Sequence, residues 1–215
     1  MYLSYRELTN EFDRQVNNLL EKKYPQAAGI SEENFLKLIE PLKKELEKVK
    51  APQIDLEYGK LPFVIVITSD FIDSETTMSL VEKEGKKGVT ILRPHTSQNF
   101  KPIDEVSIPK SPIYLLVDIN RGKENINLPP NEAMKLIKNV NRSPLTIDEG
   151  ISIVTHFPQF LKKNNCFSLL ASRTGTDKTV PAIWINGKKE PNLGWCWDGN
   201  PHTWLGSASG LLRIS

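Results

Sequence analysis

Two periodicities divide the chain near residue 50. Before it, apolar positions recur every three to four residues; after it, they come in short continuous runs. Leu8, Phe12, Val16, Leu19 and Leu20 share one stripe of residues 4–24, which predicts an amphipathic helix ended by Tyr24-Pro25 and Gly29. Ser31 is a natural N-cap for a second helix whose stripe is Phe35, Leu38, Ile39, Leu42, Leu46 and Val49. Pro41 interrupts that stripe, and its missing N–H favours two short helices over one. Both stripes need a surface to lie on. Residues 1–50 are therefore expected to form a helical hairpin docked on a mixed domain, 51–215.

Residues 51–62 read as a connector. Beyond it, residues 63–67, 89–92 and 113–117 are β-rich and apolar throughout, as strands covered on both faces require. A short helix fits 74–84, and the prolines at 94, 102, 109 and 112 predict an irregular surface crossing over 94–112. Pro129-Pro130 opens a helix carrying Ala133, Leu136, Ile137 and Val140. Thr146 to Glu149 is a capping box for another, with Ile147, Ile151 and Val154 inward and Pro158 ending it. Strands follow at 166–171, 180–185 and 193–197. The fold class is α/β or α+β: a mixed sheet of about five to seven strands with the N-terminal helical hairpin packed on it.

Composition narrows the classes. Hydrophobic residues make up 39% and charged residues 25%, an ordinary globular balance. The net charge is +2, with lysines dispersed, which argues against nucleic acid as a partner. After residue 150 seven cations face three carboxylates, a mild attraction for an anionic ligand. The start lacks the pattern of a signal peptide, and the longest apolar run, 63–67, is too short to span a bilayer. Two cysteines without an export signal are expected as reduced thiols in a cytoplasm.

Three stretches carry a resemblance: Arg142-Ser-Pro-Leu-Thr-Ile-Asp-Glu-Gly150, Asn165-Cys-Phe-Ser-Leu-Leu170, and Leu193-Gly-Trp-Cys-Trp-Asp-Gly-Asn-Pro-His-Thr-Trp-Leu-Gly-Ser-Ala-Ser209. Together with Tyr24-Pro25 and the 28–42 segment, they resemble a bacterial family, frequent in actinobacteria, that is known only as a domain of unknown function. The likeness spans most of the chain. It implies a bacterial, intracellular protein and transfers no activity or site.

The candidate chemistry concentrates at the C-terminal end, where Trp184, Trp195, Trp197 and Trp204 all lie. Strand alternation places Trp195 and Trp197 on one face and Cys196 on the other. Trp195, Trp197 and Trp204 offer stacking surfaces, and Asp198, Asn200, His202 and Arg173 offer polar contacts. This Trp-rich face is the expected site for a polar or anionic small molecule or a partner. The same residues equally suit a core corner in which each indole N–H finds a carbonyl. An alternative makes Cys196, or Cys166, a catalytic pair with His202 in a hydrolase or transferase, which needs the imidazole within hydrogen-bond reach of the sulfur. A third makes the helical hairpin an interaction scaffold. Neither metal-ligand spacing nor a cofactor motif is present, and 172–179 lacks the Walker spacing. Asp70 and Asp73, after the first strand, read either as carboxylates bordering a ligand crevice, able to hold Mg²⁺ or to act as acid and base, or as helix caps. Asp118, at the end of the third, carries the same two readings. His156 fits a hydrogen-bonded core histidine, and His95 a surface turn.

Overall fold

The computed structural model describes residues 2–215. Ser4 and Glu7 form a reciprocal capping box that opens helix α1 (Tyr5–Glu21). A single turn, α2 (Tyr24–Ala27), follows, and Ser31 caps α3 (Glu32–Glu45). Pro41 lies inside α3 and does not divide it, which corrects the expectation of two short helices. The proline is exposed, so water can satisfy the carbonyl it leaves unpaired, while Phe35, Ile39 and Leu42 stay buried on the other stripe.

The later elements, in chain order, are β1 (Lys60–Ile67), α4 (Ser74–Leu80), β2 (Glu82–Lys83), β3 (Lys86–Lys87), β4 (Val89–Thr90), β5 (Lys101–Pro102), β6 (Ile113–Asn120) and α5 (Pro130–Asn139). They continue with β7 (Ser143–Pro144), α6 (Ile147–His156), β8 (Cys166–Ser168), β9 (Ser172–Arg173), β10 (Thr179–Ile185), β11 (Pro191–Trp197), β12 (Leu205–Ser207), β13 (Ser209–Gly210) and β14 (Leu212–Ile214). The fold is mixed α/β, with the N-terminal helices packed on a sheet. Its long strands fall into two five-stranded sheets. In the first, β1 runs antiparallel to β6, and β13 and β14 border the other side of β6, with β7 beyond β13. In the second the order is β12-β8-β10-β11-β4, built on the antiparallel hairpin β10–β11.

The apolar runs are explained by burial on both faces. Phe63, Ile65 and Ile67 of β1, with Ile113, Leu115 and Val117 of β6, pack under α1 and α3. Val64, Val66, Tyr114 and Leu116 face the opposite way, toward α6. Helix α6 also meets β10, so it lies between the sheets and is buried over most of its surface. Gly150 permits the close approach: a Cβ there would lie 2.5 Å from Leu169 Cδ2.

The free edge of β1 is closed by side chains. Gln15 of α1 donates from Nε2 to the Phe63 carbonyl at 3.0 Å and accepts the Ile65 N–H at 2.8 Å, as a neighbouring strand would. His156 Nε2 donates to the Ile65 carbonyl at 3.1 Å, while its Nδ1 accepts from Asn18 Nδ2 at 3.2 Å. His156 is thus the hydrogen-bonded core histidine that the sequence suggests.

Candidate functional site

At the carboxyl end of β1 the chain turns through Thr68 to Asp73 before α4, and the first turn of α6 lies beside it. A cavity of about 620 Å³ opens here. Its floor is Thr146, Ile147 and Asp148, with Tyr114 and Ser172. Ser69, Asp70 and Ser74 form one wall, Thr96 to Pro102 a second, and Ile108 to Pro112 a third. Lys101, Lys110 and Asp70 bring charges of both signs to the lining, among many hydroxyls.

The floor is held by carboxylates. Asp148 accepts the Ser69 N–H at 2.8 Å and the Ser74 hydroxyl at 3.0 Å, tying α6 to the loop after β1. Burial pushes the Asp148 carboxyl above its ordinary pKa against those bonds. Beneath it, the fully buried Glu149 pairs with Arg213 at 2.5 Å and accepts from the Tyr114 hydroxyl at 2.9 Å. Burial and the Glu149 charge hold the Tyr114 phenol well above its usual value, so it stays a donor. Glu75 of α4 grips the second wall, accepting the Ser97 N–H at 3.0 Å and the Ser97 hydroxyl. Asp73 caps α4 through the Thr76 N–H and hydroxyl, at 2.8 and 2.6 Å, and it also borders the cavity. Among the described residues no three His, Cys, Asp or Glu side chains converge to hold a metal.

The tryptophan run does not make one face. Trp184 pairs across the hairpin with Asn192, so it shares a face with Asn192, Gly194 and Cys196. Gly194 leaves the space its ring occupies, since a Cβ there would lie 2.1 Å from Trp184 Cη2. Trp204 meets Trp184 edge-on at 6.3 Å between centroids, and His202 packs on Trp204 at 5.2 Å. Trp195 and Trp197 lie on the opposite face, in edge-to-face contact at 5.3 Å. Trp197 is 46% exposed and the other three indoles are half-buried. None of the four lines the cavity.

Among the polar candidates the structure joins Arg173 to Asp198, at 2.8 Å, and Asn200 is exposed in the turn beyond. No hydrogen bond links Cys196 to His202 among the described residues. Burial raises the Cys196 thiol to about 11 and also raises that of Cys166, the reverse of nucleophile activation. Asp118 is ion-paired with Arg142 at 3.1 Å. His95 closes a turn with its N–H on the Leu92 carbonyl, as expected, but its ring is not at the surface: it sits between Phe100 and Trp195, with its Nε2 2.8 Å from Asp177 Oδ2 but off the line that a hydrogen bond needs. Hydrogen bonds from Thr179 chiefly, with His95 adding a little, hold Asp177 at about 2.

The sequence leaves Asp148, Ser69, Thr96 and Phe100 unmarked as cavity residues. Ser69 adjoins Asp70, which the crevice reading after the first strand does mark, and Thr96 and Phe100 share one further signal. The span between β4 and β6 exceeds the length at which irregular connections become uncommon, about 12–15 residues, and long loops of that kind tend to carry function.

No curated protein and no solved structure matches the chain. A family model described as a family of unknown function, DUF5701, matches residues 18–215. That match takes in both sheets, α6, the cavity and the tryptophan hairpin, and the chain belongs to this family of unknown function, DUF5701.

Proposed function

We propose that the protein binds a small polar molecule in the cavity at the carboxyl end of β1. The carrying observation is the cavity itself: about 620 Å³, floored by the first turn of a buried helix and lined by hydroxyls with charges of both signs. Small-molecule sites run from about 300 to 1,000 Å³ and orient their ligands with a few fixed polar groups. Asp148, Tyr114 and Ser97 are such groups, each held by a partner of its own. The site lies beyond the carboxyl end of β1 and over the first turn of α6, where the irregular stretches enclose it. A second reading, a partner contact at the Trp-rich hairpin, is favoured by the exposure of Trp197. Two unpaired thiols suit the reducing cytoplasm of a bacterium. No helix among the described residues is long and apolar enough to cross a membrane.

Ser69→Trp tests the proposal. Ser69 is exposed and holds Asp148 through its backbone N–H, so the variant keeps that bond while its ring occupies the cavity. A thermal-shift screen of uncharged, zwitterionic and anionic metabolite-sized compounds is expected to yield a binder of the wild type. The variant should bind it at least about tenfold more weakly, a loss of about 1.4 kcal/mol, with little change in its own melting temperature. Equal affinity for both proteins would place the ligand elsewhere.

A further inference from the structure

One wall of the cavity is held by the tryptophan hairpin. Trp195 Nε1 donates to two successive carbonyls, those of Leu92 at 3.1 Å and Arg93 at 3.0 Å. Its ring meets His95 edge-on at 6.4 Å between centroids, and His95 meets Phe100 at 5.6 Å. Phe100 and the adjoining Thr96 line the cavity. On its other side His95 is braced by Asp177, which is itself fixed by the Thr174 hydroxyl at 3.0 Å and the Thr179 N–H at 2.9 Å.

The two partners differ in rigidity. Trp195 belongs to a seven-residue strand paired along its length with β10. The 92–102 segment has only the two residues of β5 in a sheet, paired with β9. Its far end is fixed by that pair and by Glu75 on Ser97; its near end leaves β11 through the Ile91 N–H on the Leu193 carbonyl at 2.8 Å, and from the buried Leu92 onward it is held by Trp195 and Asp177. The hairpin is the fixed member, and the wall takes its position from it.

We infer that Trp195 is a positioning residue for the cavity, setting the 92–102 wall through its indole N–H and the chain of rings Trp195, His95 and Phe100. The inference rests on the cavity being the ligand site. It gives the tryptophan hairpin a role without requiring the ligand to touch it. A ligand resting on Phe100 or Thr96 changes the surroundings of Trp195 by the same link.

The test is amide hydrogen exchange on the full chain without ligand. Trp195→Phe keeps an aromatic ring and removes the N–H; Trp197→Phe is the control. Exchange across residues 92–102 should quicken about five- to tenfold in Trp195→Phe, the ratio that one lost hydrogen bond sets. It should stay at the wild-type rate in Trp197→Phe, with β10 and β1 unchanged in both. Asp177→Asn removes the brace on His95 without altering the hairpin ring, and should quicken residues 95–100 by itself. An unchanged rate over 92–102 in Trp195→Phe would overturn the inference, as would quickening of β10 to the same degree, which marks a general loss of structure. Since no ligand enters the measurement, the result is separate from the outcome of any ligand screen.

Discussion

At the residue scale the core is ordered by polar side chains that stand in for missing backbone partners. Gln15 and His156 close the edge of β1, and Arg121, buried to 1% exposure, donates to the Phe160 carbonyl at 2.8 Å and the Glu57 carbonyl at 3.1 Å. Burial, with Arg14 nearby adding to it, pushes the His156 imidazole down to about 3. The unfolded chain takes up a proton below about 6.5, and the folded chain cannot until the pH nears 3. The stability this neutral histidine supports is therefore complete above about 6.5 and falls as the pH drops, by about 1.4 kcal/mol per unit. His156→Gln keeps a donor for the Ile65 carbonyl and cannot titrate. Urea unfolding at pH 7, 6 and 5 should show the wild type losing stability relative to this variant as the pH falls. Parallel curves would show that His156 is not held neutral.

At the element scale the hairpin β10–β11 shows what local pattern carries and what it leaves out. Alternation alone separates Trp195 and Trp197 from Cys196. It cannot place Trp184, whose face depends on the pairing register with Asn192, nor Trp204, which lies beyond a turn. Helix α6 was legible down to its first residue, since Thr146 and Glu149 form their capping box as spaced. The C-terminal strands β12, β13 and β14 were not, because two or three residues are too few for a period to register. The cavity was legible only at its first wall, where Asp70 and Asp73 follow the first strand; its other stretches are brought there only by the tertiary fold. Asp148 reads in sequence as an ordinary first-turn acid. Gly194 supplies the element-scale prediction. Gly194→Ala drives a methyl into the Trp184 ring and should cost about 1–3 kcal/mol, with a red shift of indole emission as the ring swings out. Gly199→Ala, where a Cβ meets nothing within 4 Å, should leave both stability and emission near wild type. Equal behaviour of the two variants would rule out the packing of Trp184 over Gly194.

At the scale of the whole molecule, the layers account for where a ligand site can exist. The N-terminal helices cover one face of the first sheet, and α6 fills the space between the sheets with buried apolar side chains. At the N-terminal end of α6, hydroxyls and carboxylates replace the apolar side chains, and three irregular stretches enclose space against them. The tryptophan hairpin borders this region through the 92–102 segment, so the two most distinctive parts of the chain meet at one wall. The most direct test of the account is an amide chemical-shift map of the full chain titrated with a compound selected by the thermal-shift screen. Saturable shifts should centre on Ser69 to Ser74, Thr96 to Pro102 and Thr146 to Asp148. Shifts confined to Trp184, Trp204 and His202, with the cavity residues unmoved, would contradict it.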